Sequence, residues 1–235
     1  MNDRAAVGLV GLPGSDGSAS GQSVVYAVST VDQGGSLALA SELAAGRLSV
    51  LLPDTLVTGP VGIAAAMQSA GRSVVWQRAY HRYHLTDPSA VPTGTDGSSE
   101  PVLPLGPHHA DELAGLYAAE PGAAFFLPQI IADQTFVGTR RGGSLVAAAG
   151  THVLSDTYSV AAIGAVFTHP AHRGDGLGAA VTAGVIDRLH RRRRPIEVIG
   201  LNCSDGNESA KRIYLAMGFQ PTLGYEECEL GPPVV

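Results

Sequence analysis

Cysteine is nearly absent. Cys203 and Cys228 are the only two in 235 residues, too few for a disulfide framework or a four-thiolate metal site, and no metal is expected. Charge is sparse too, at 15% of residues, and its balance is acidic, with a net charge of −6. Such a chain lacks the Lys and Arg excess that meets phosphates without sequence preference, so no nucleic-acid partner is expected. No run of about 18 consecutive apolar residues occurs, so no spanning helix and no membrane partner are expected. The first ten residues carry one Arg and no long apolar stretch, unlike a secretory signal, and a cytosolic location is expected. Gly (30) and Pro (15) together make about a fifth of the chain, below the ~25–30% of low-complexity sequences. What is present is 45% hydrophobic residues, enough for one large core or two small ones.

Turn-forming residues divide the chain. Residues 13–22 are Gly/Ser-rich. Residues 86–100, Thr-Asp-Pro-Ser-Ala-Val-Pro-Thr-Gly-Thr-Asp-Gly-Ser-Ser-Glu, read as a linker. The expected organisation is therefore an N-terminal α/β region over 1–85, a linker over 86–100 and a second domain over 101–235. In the first region, apolar spacing predicts helices over 37–46 and 62–70 and strands over 48–52 and 73–85. No chemical motif occurs there. In the second, a helix is expected over 108–119 and three successive strands over 135–139, 144–153 and 157–167. Gly142-Gly143 and residues 154–156 serve as their turns. A helix over 176–193 stopped by Pro195, a strand over 196–201, and a helix over 207–217 closed by Gly218 complete a mixed α/β sheet.

The most informative stretch is Val166-Phe167-Thr168-His-Pro-Ala-His-Arg173-Gly174-Asp175-Gly176-Leu177-Gly178-Ala179. A strand ends, Pro170 stops it, and an Arg-plus-glycine turn opens a helix. Backbone N–H groups without bulky side chains can close around a pyrophosphate there, helped by the positive end of the helix dipole. A Walker loop is excluded, because no Gly-Lys-Ser/Thr follows. Gly174, Gly176 and Ala179 fit the Gly-x-Gly-x-x-Gly/Ala dinucleotide fingerprint, and Glu197 lies about twenty residues on. Against that reading, Glu197 falls at the start of its strand rather than the end. Five residues, 168–172, also separate strand from glycines.

Two motifs in order decide for a third reading. Arg173-x-x-Gly176-x-Gly178 resembles motif A of the GCN5-related N-acetyltransferases (GNAT). Asn207-x-x-Ala210-x-x-x-Tyr214-x-x-x-Gly218-Phe219 resembles motif B of that superfamily, and residues 168–174 are most similar to its FR47-like branch. The resemblance runs from about residue 101 to the C-terminus. It implies an α/β, mixed-sheet, GNAT-like acyl-CoA N-acyltransferase fold there, with the N-terminal α/β half a candidate degenerate copy. It also implies that acetyl-CoA lies in a V between two splayed strands, 157–167 and 196–202. Backbone groups of Val166, Phe167 and Thr168 would hold its pantetheine arm, and the Val166 N–H would polarise the thioester. The N–H groups of Arg173, Gly174, Asp175, Gly176, Leu177, Gly178 and Ala179 would hold the pyrophosphate. Asn202 and Asn207 are candidate cofactor contacts, Asn207 being equally an N-cap. Tyr214 would protonate the departing thiolate, or pack the last helix on the sheet.

The general base is less marked. Ala162 stands where some relatives carry Glu, and Glu120 is the candidate for the acceptor side. With the second of the strand turns at Ser155-Asp156, His152 lies about 20 Å from the residue facing Val166 at ~3.3 Å per residue, so a structural or exposed role is expected. His169 and His172 read as surface loop residues. Cys203 reads as a small buried thiol, and residues 191–194 (four Arg) as a solvated helix end. Phe125 and Phe126 could line an acyl or acceptor pocket. The expected activity is transfer from acetyl-CoA to a small-molecule or peptide primary amine by direct attack. A homodimer through the N-terminal half is compatible with this. A non-catalytic acyl-CoA sensor and a dinucleotide-binding protein are the alternatives.

Overall fold

The computed structural model describes residues 5–11, 23–29, 55–92, 100–124 and 126–233. The Gly/Ser-rich stretch 13–22, the helix expected over 37–46, the strand expected over 48–52, residues 93–99 of the linker run and Phe125 lie outside them. In chain order the first elements are β1 (Ala5–Gly11), β2 (Ser23–Ser29), β3 (Leu56–Pro60), α1 (Ile63–Ser69) and β4 (Arg72–Leu85). They are followed by β5 (Leu103–Leu105), α2 (Ala110–Tyr117), β6 (Phe136–Arg141), β7 (Ser144–Ser155) and β8 (Val160–Thr168). The last are α3 (Leu177–His190), β9 (Val198–Ser204), α4 (Glu208–Ala216) and β10 (Phe219–Pro233).

The chain divides into two compact units, residues 1–81 with 223–235, and residues 82–222. The division falls inside β4 and β10, not at the Pro/Gly/Ser-rich run. In the first unit, β1 and β2 pair antiparallel, β2 and β3 parallel, and β3 and β10 antiparallel with Cys228 opposite Val57. Helix α1 buries Ile63, Ala64 and Met67. Ile63 sits against Gly59 so closely that a Cβ there would lie 2.9 Å from its side chain.

The second unit carries the mixed sheet anticipated from the sequence, with strands β5 to β8 antiparallel in succession and β9 parallel to β8. Gly142 and Gly143 close the β6–β7 hairpin with φ of 55° and 85°, which glycine adopts without steric cost. The β7–β8 turn departs from expectation. It spans four residues, 156–159, with Ser159 at φ 52°, and β8 starts at Val160 rather than 157. Thr157 and Tyr158 carry β-propensity but sit in the turn, where Tyr158 is 78% exposed.

Alternation along β7 sorts the core into two layers. Ala147 and Ala149 join Leu177, Val181, Val185, Ile186 and Leu189 of α3, whereas Ala148 joins Leu113, Leu116 and Tyr117 of α2 with Phe136 and Phe167. A helix on each face of the sheet follows. Each fully buried aliphatic side chain of α3 contributes about 1.5–3 kcal/mol, so the i, i+4 stripe 177, 181, 185, 189 seats the helix. Past its end, Arg191 pairs with Asp187 and Arg192 clasps Asp156, so the Arg run closes the helix as expected. Residues 86–91 also dock on this unit. The Thr86 and Asp87 N–H groups donate to the Gly218 carbonyl at 3.0 and 3.2 Å, and Val91 joins the core.

Candidate active site

The parallel strands β8 and β9 separate partway along. Their register runs from Val160 opposite Val198 to Ile163 opposite Leu201 and stops, while β8 continues to Thr168 and β9 to Ser204. The splay expected from the sequence is therefore present, with strands starting three and two residues later than anticipated. A bulge marks its start. The β7–β8 register passes from Ala148–Phe167 to Gly150–Gly164, so two steps on β7 meet three on β8, and Ala165 takes φ 50°. Neither Ala165 nor Val166 has a ladder partner in that register. The His169 N–H donates to Val146 of β7 at 2.9 Å. Alternation back along the strand turns the Phe167 N–H toward β7 and those of Thr168 and Val166 into the gap.

A short 3-10 turn, Pro170–His172, leads from β8 to the glycine loop. Gly174 and Gly176 take φ of 91° and 75°, and a Cβ on either would meet nothing within 4 Å. Gly176 is the N-cap of α3 and supplies no side-chain cap. The first helical bond is from Ala180 to the Gly176 carbonyl, which leaves the N–H groups of Leu177, Gly178 and Ala179 outside the helical ladder. The Leu177 side chain is buried beneath them. The Arg173 N–H is engaged with the Pro170 carbonyl, so it does not join that row. Its guanidinium instead bonds the Thr168 carbonyl and pairs with Glu120. Asp175 pairs with Arg141, which also holds Glu100 at 2.8 Å. The one acid of the loop is thereby neutralised.

Helix α4 begins differently. Asn207 is its N-cap, with Oδ1 accepting from the Ala210 N–H at 3.1 Å. On the same helix Tyr214 is buried, with ring centroids of Phe219 and Tyr83 at 6.0 and 6.4 Å. Burial pushes its phenol well above the ordinary range, with Cys203 adding to the shift. Cys203 is buried, its thiol raised by burial, and directed at backbone carbonyls of Ser204 and Asn207. Asn202, exposed on β9, accepts from the Arg82 guanidinium at 3.4 Å. The dinucleotide alternative loses both supports. Glu197 precedes the first residue of β9 and donates its N–H to Ser159, at the wrong end of the strand for a ribose contact, and the 3-10 turn separates strand from glycines.

Residues 107–219 match the family model described as Acetyltransferase (GNAT) family. The chain carries a GNAT acetyltransferase domain. Solved structures agree in fold. A GNAT-family protein of Novosphingobium aromaticivorans, named as an acetyltransferase, is 24% identical over 88% of this chain and 83% of its own, with a TM-score of 0.64. A GCN5-related N-acetyltransferase of Kribbella flavida is 21% identical over 89% and 82%, TM-score 0.56. A tandem GNAT protein from the clavulanic acid biosynthesis pathway is 17% identical over 89% and 76%, TM-score 0.57. No curated protein matches the sequence. Among the described residues no helix is long and apolar enough to cross a membrane.

On the α2 face of the GNAT domain, three residues depart from the sequence reading. Tyr117, which belongs to neither motif, donates its hydroxyl to the Ala165 carbonyl at 2.7 Å, and burial raises its phenol far above the ordinary range. Its partner is 48 residues away, beyond any local signal. The one available hint was that a Tyr inside an apolar stripe needs a partner for its hydroxyl. His152 is not remote from the gap. A Cβ on Gly164 would lie 2.3 Å from its ring, so the imidazole covers the β8 backbone two residues from Val166. The later and longer turn brings it there, and His152 is the extra β7 residue of a further bulge between Thr151 and Val153. Phe126 stacks on Tyr117 with ring centroids 4.9 Å apart and meets Phe136 edge-on, so it serves the core of this face.

Proposed function

We propose that the domain transfers an acetyl group from acetyl-CoA to a primary amine by direct attack. One observation carries this: β8 offers an unpaired, bulged backbone edge and, ten residues on, an uncapped glycine helix start. That sequence of donors suits a ligand with an extended amide arm and a pyrophosphate. Bound acetyl-CoA supplies an activated thioester. The N–H groups facing the gap, from Val166 and Thr168, hold the arm, and that of Val166 hydrogen-bonds the thioester carbonyl. Backbone around Phe167 shares this edge. Those of Gly174 to Ala179 hold the pyrophosphate, with Arg173 bracing the loop from outside. Asn202, near the C-terminal end of β9, and Asn207, just beyond it, border the cofactor. Tyr214 gives its phenolic proton to the departing thiolate and regains one from solvent. Glu120, joined to the loop through Arg173, accepts the proton of the attacking amine. Net charge of −6 favours a cationic acceptor.

The similarity to a tandem GNAT protein over both units supports reading the first as a degenerate copy. The FR47-like assignment rests on residues 168–174 with 207–219. A second reading, an acyl-CoA sensor without turnover, is favoured by Ala162 alone. The test is calorimetry with acetyl-CoA against NADH, followed by thiol release across an amine panel. Acetyl-CoA binding with release on amine addition supports the transferase. Binding without release on any amine supports the sensor, and NADH binding alone overturns both.

A further inference from the structure

The peptide group between Ala165 and Val166 has two ends with different fates. Its N–H faces the gap between β8 and β9. Its carbonyl accepts the Tyr117 hydroxyl at 2.7 Å. In a trans peptide these two bonds point in opposite directions, and no cis peptide occurs among the described residues. Whatever fixes the carbonyl therefore aims the N–H. Helix α2, which carries Tyr117, packs on β7, on the far side of β8 from the gap. The carbonyl is thus drawn toward α2 while the Val166 N–H is driven away from it.

Neither neighbouring strand can do this, because the bulge removes both residues from the ladders. The local backbone preference works against the arrangement as well. Ala165 holds φ 50°, a region that L-residues with a Cβ enter at a cost of about 1–2 kcal/mol. The carbonyl is enclosed, since Ala165 is 5% and Tyr117 8% exposed, so a lost hydroxyl would not be replaced by bulk water. The tyrosine ring is itself fixed, lying between Phe126 and Phe167 with centroids 4.9 and 5.7 Å away. Accepting a hydrogen bond also polarises an amide and strengthens its own N–H as a donor.

We infer that Tyr117 is the positioning residue of the thioester site, clamping the Ala165–Val166 peptide so that its N–H points into the gap as a polarised donor. The inference rests on the acetyl-CoA reading above and adds to it the group that orients the donor. Tyr117 touches no substrate in this role; it acts through the backbone.

The test is Tyr117→Phe, which keeps the ring and removes the hydroxyl, read by isotope-edited infrared spectroscopy of acetyl-CoA carrying a 13C carbonyl. In the wild type, binding should move the thioester carbonyl band to lower frequency than in solution. In Tyr117→Phe the band should return most of the way to its solution position. Affinity for coenzyme A lacking the acetyl group should stay within about threefold, because the pyrophosphate loop is untouched. Turnover should fall about tenfold with the KM for the amine unchanged. If the wild type does not bind acetyl-CoA, the functional reading fails, and this inference with it. If the wild type binds and shifts the band but Tyr117→Phe shifts it equally, the clamp is wrong and the functional reading stands. Should Tyr117→Phe not fold, Tyr117→Phe/Ala165→Gly replaces it, since glycine adopts φ 50° freely. A double variant that folds yet leaves the band at its wild-type bound position overturns the clamp; one that loses the shift upholds it.

Discussion

Three helices of the second unit begin in three ways, and the differences separate structural ends from a binding end. Helix α4 is closed by Asn207, whose side chain satisfies the Ala210 N–H. Helix α2 has no side-chain cap either, but it follows directly on a 3-10 turn, Pro107–His109. Asp111 and Glu112 occupy its first turn, and His109 accepts from the Gly106 N–H at 3.0 Å. Helix α3 alone of these starts on a left-handed glycine without a side-chain cap. Capping contributes about 1 kcal/mol to an ordinary helix. At α3 that contribution is forgone, and the helix is held instead by its buried stripe from Leu177 to Leu189. The comparison teaches that packing stabilises α3 while its first N–H groups are kept for another partner.

The sharpest way to break this contrast is Gly176→Glu. A side chain at φ 75° is strained, and a carboxylate would enter the donor row, so acetyl-CoA affinity measured by calorimetry should fall on the order of 10³-fold. Unchanged affinity would end the phosphate-cradle assignment. Next in size, Tyr214→Phe removes the proposed proton donor of α4. Turnover should drop by roughly 10²-fold while acetyl-CoA affinity is spared; an unaltered rate would leave Tyr214 a packing residue.

Asn207→Ala asks whether the α4 cap is structural only. Stability by urea titration should fall by about 1 kcal/mol, with cofactor affinity changed little. A large loss of affinity instead would make Asn207 a cofactor contact as well as a cap. The smallest effect concerns α2. The Arg140 hydrogen bond holds the Glu112 carboxyl below the usual carboxylate range. The unfolded chain takes up that proton first on acidification. The pair's contribution is thus complete above the unfolded value of about 4.3 and lost as pH falls through the lower folded one. This partly exposed pair contributes under about 1 kcal/mol. Melting temperatures of the wild type between pH 6 and 3 should fall slightly more than those of Glu112→Gln. Equal falls would remove the pair from the stability of α2.

Much of this was readable from residues close together in the chain. The glycine loop, the Asn207 cap, Gly218 at φ 84° and the helix stripes all express local preferences within about ten positions. Strand β10 was not read, because its residues 219–233 include two glycines and three prolines, which argue for a loop unless neighbouring strands hold them. The turn before β8 was misread for the opposite reason, since Thr157 and Tyr158 favour strands in isolation. His152 was misplaced with it, because a later and longer turn slides the whole β7–β8 register.

The sequence by itself determined the order of elements from α2 to α4, the phosphate-type loop and the two motifs, since these depend on backbone conformations that Gly, Pro and Asn impose locally. Only the tertiary structure decided where β8 leaves β9, that Ala165 sits at a bulge, and that a tyrosine 48 residues earlier holds its carbonyl. Those depend on which side chains meet after the chain has packed, and a strained alanine carries no mark in the sequence of the contact that keeps it so.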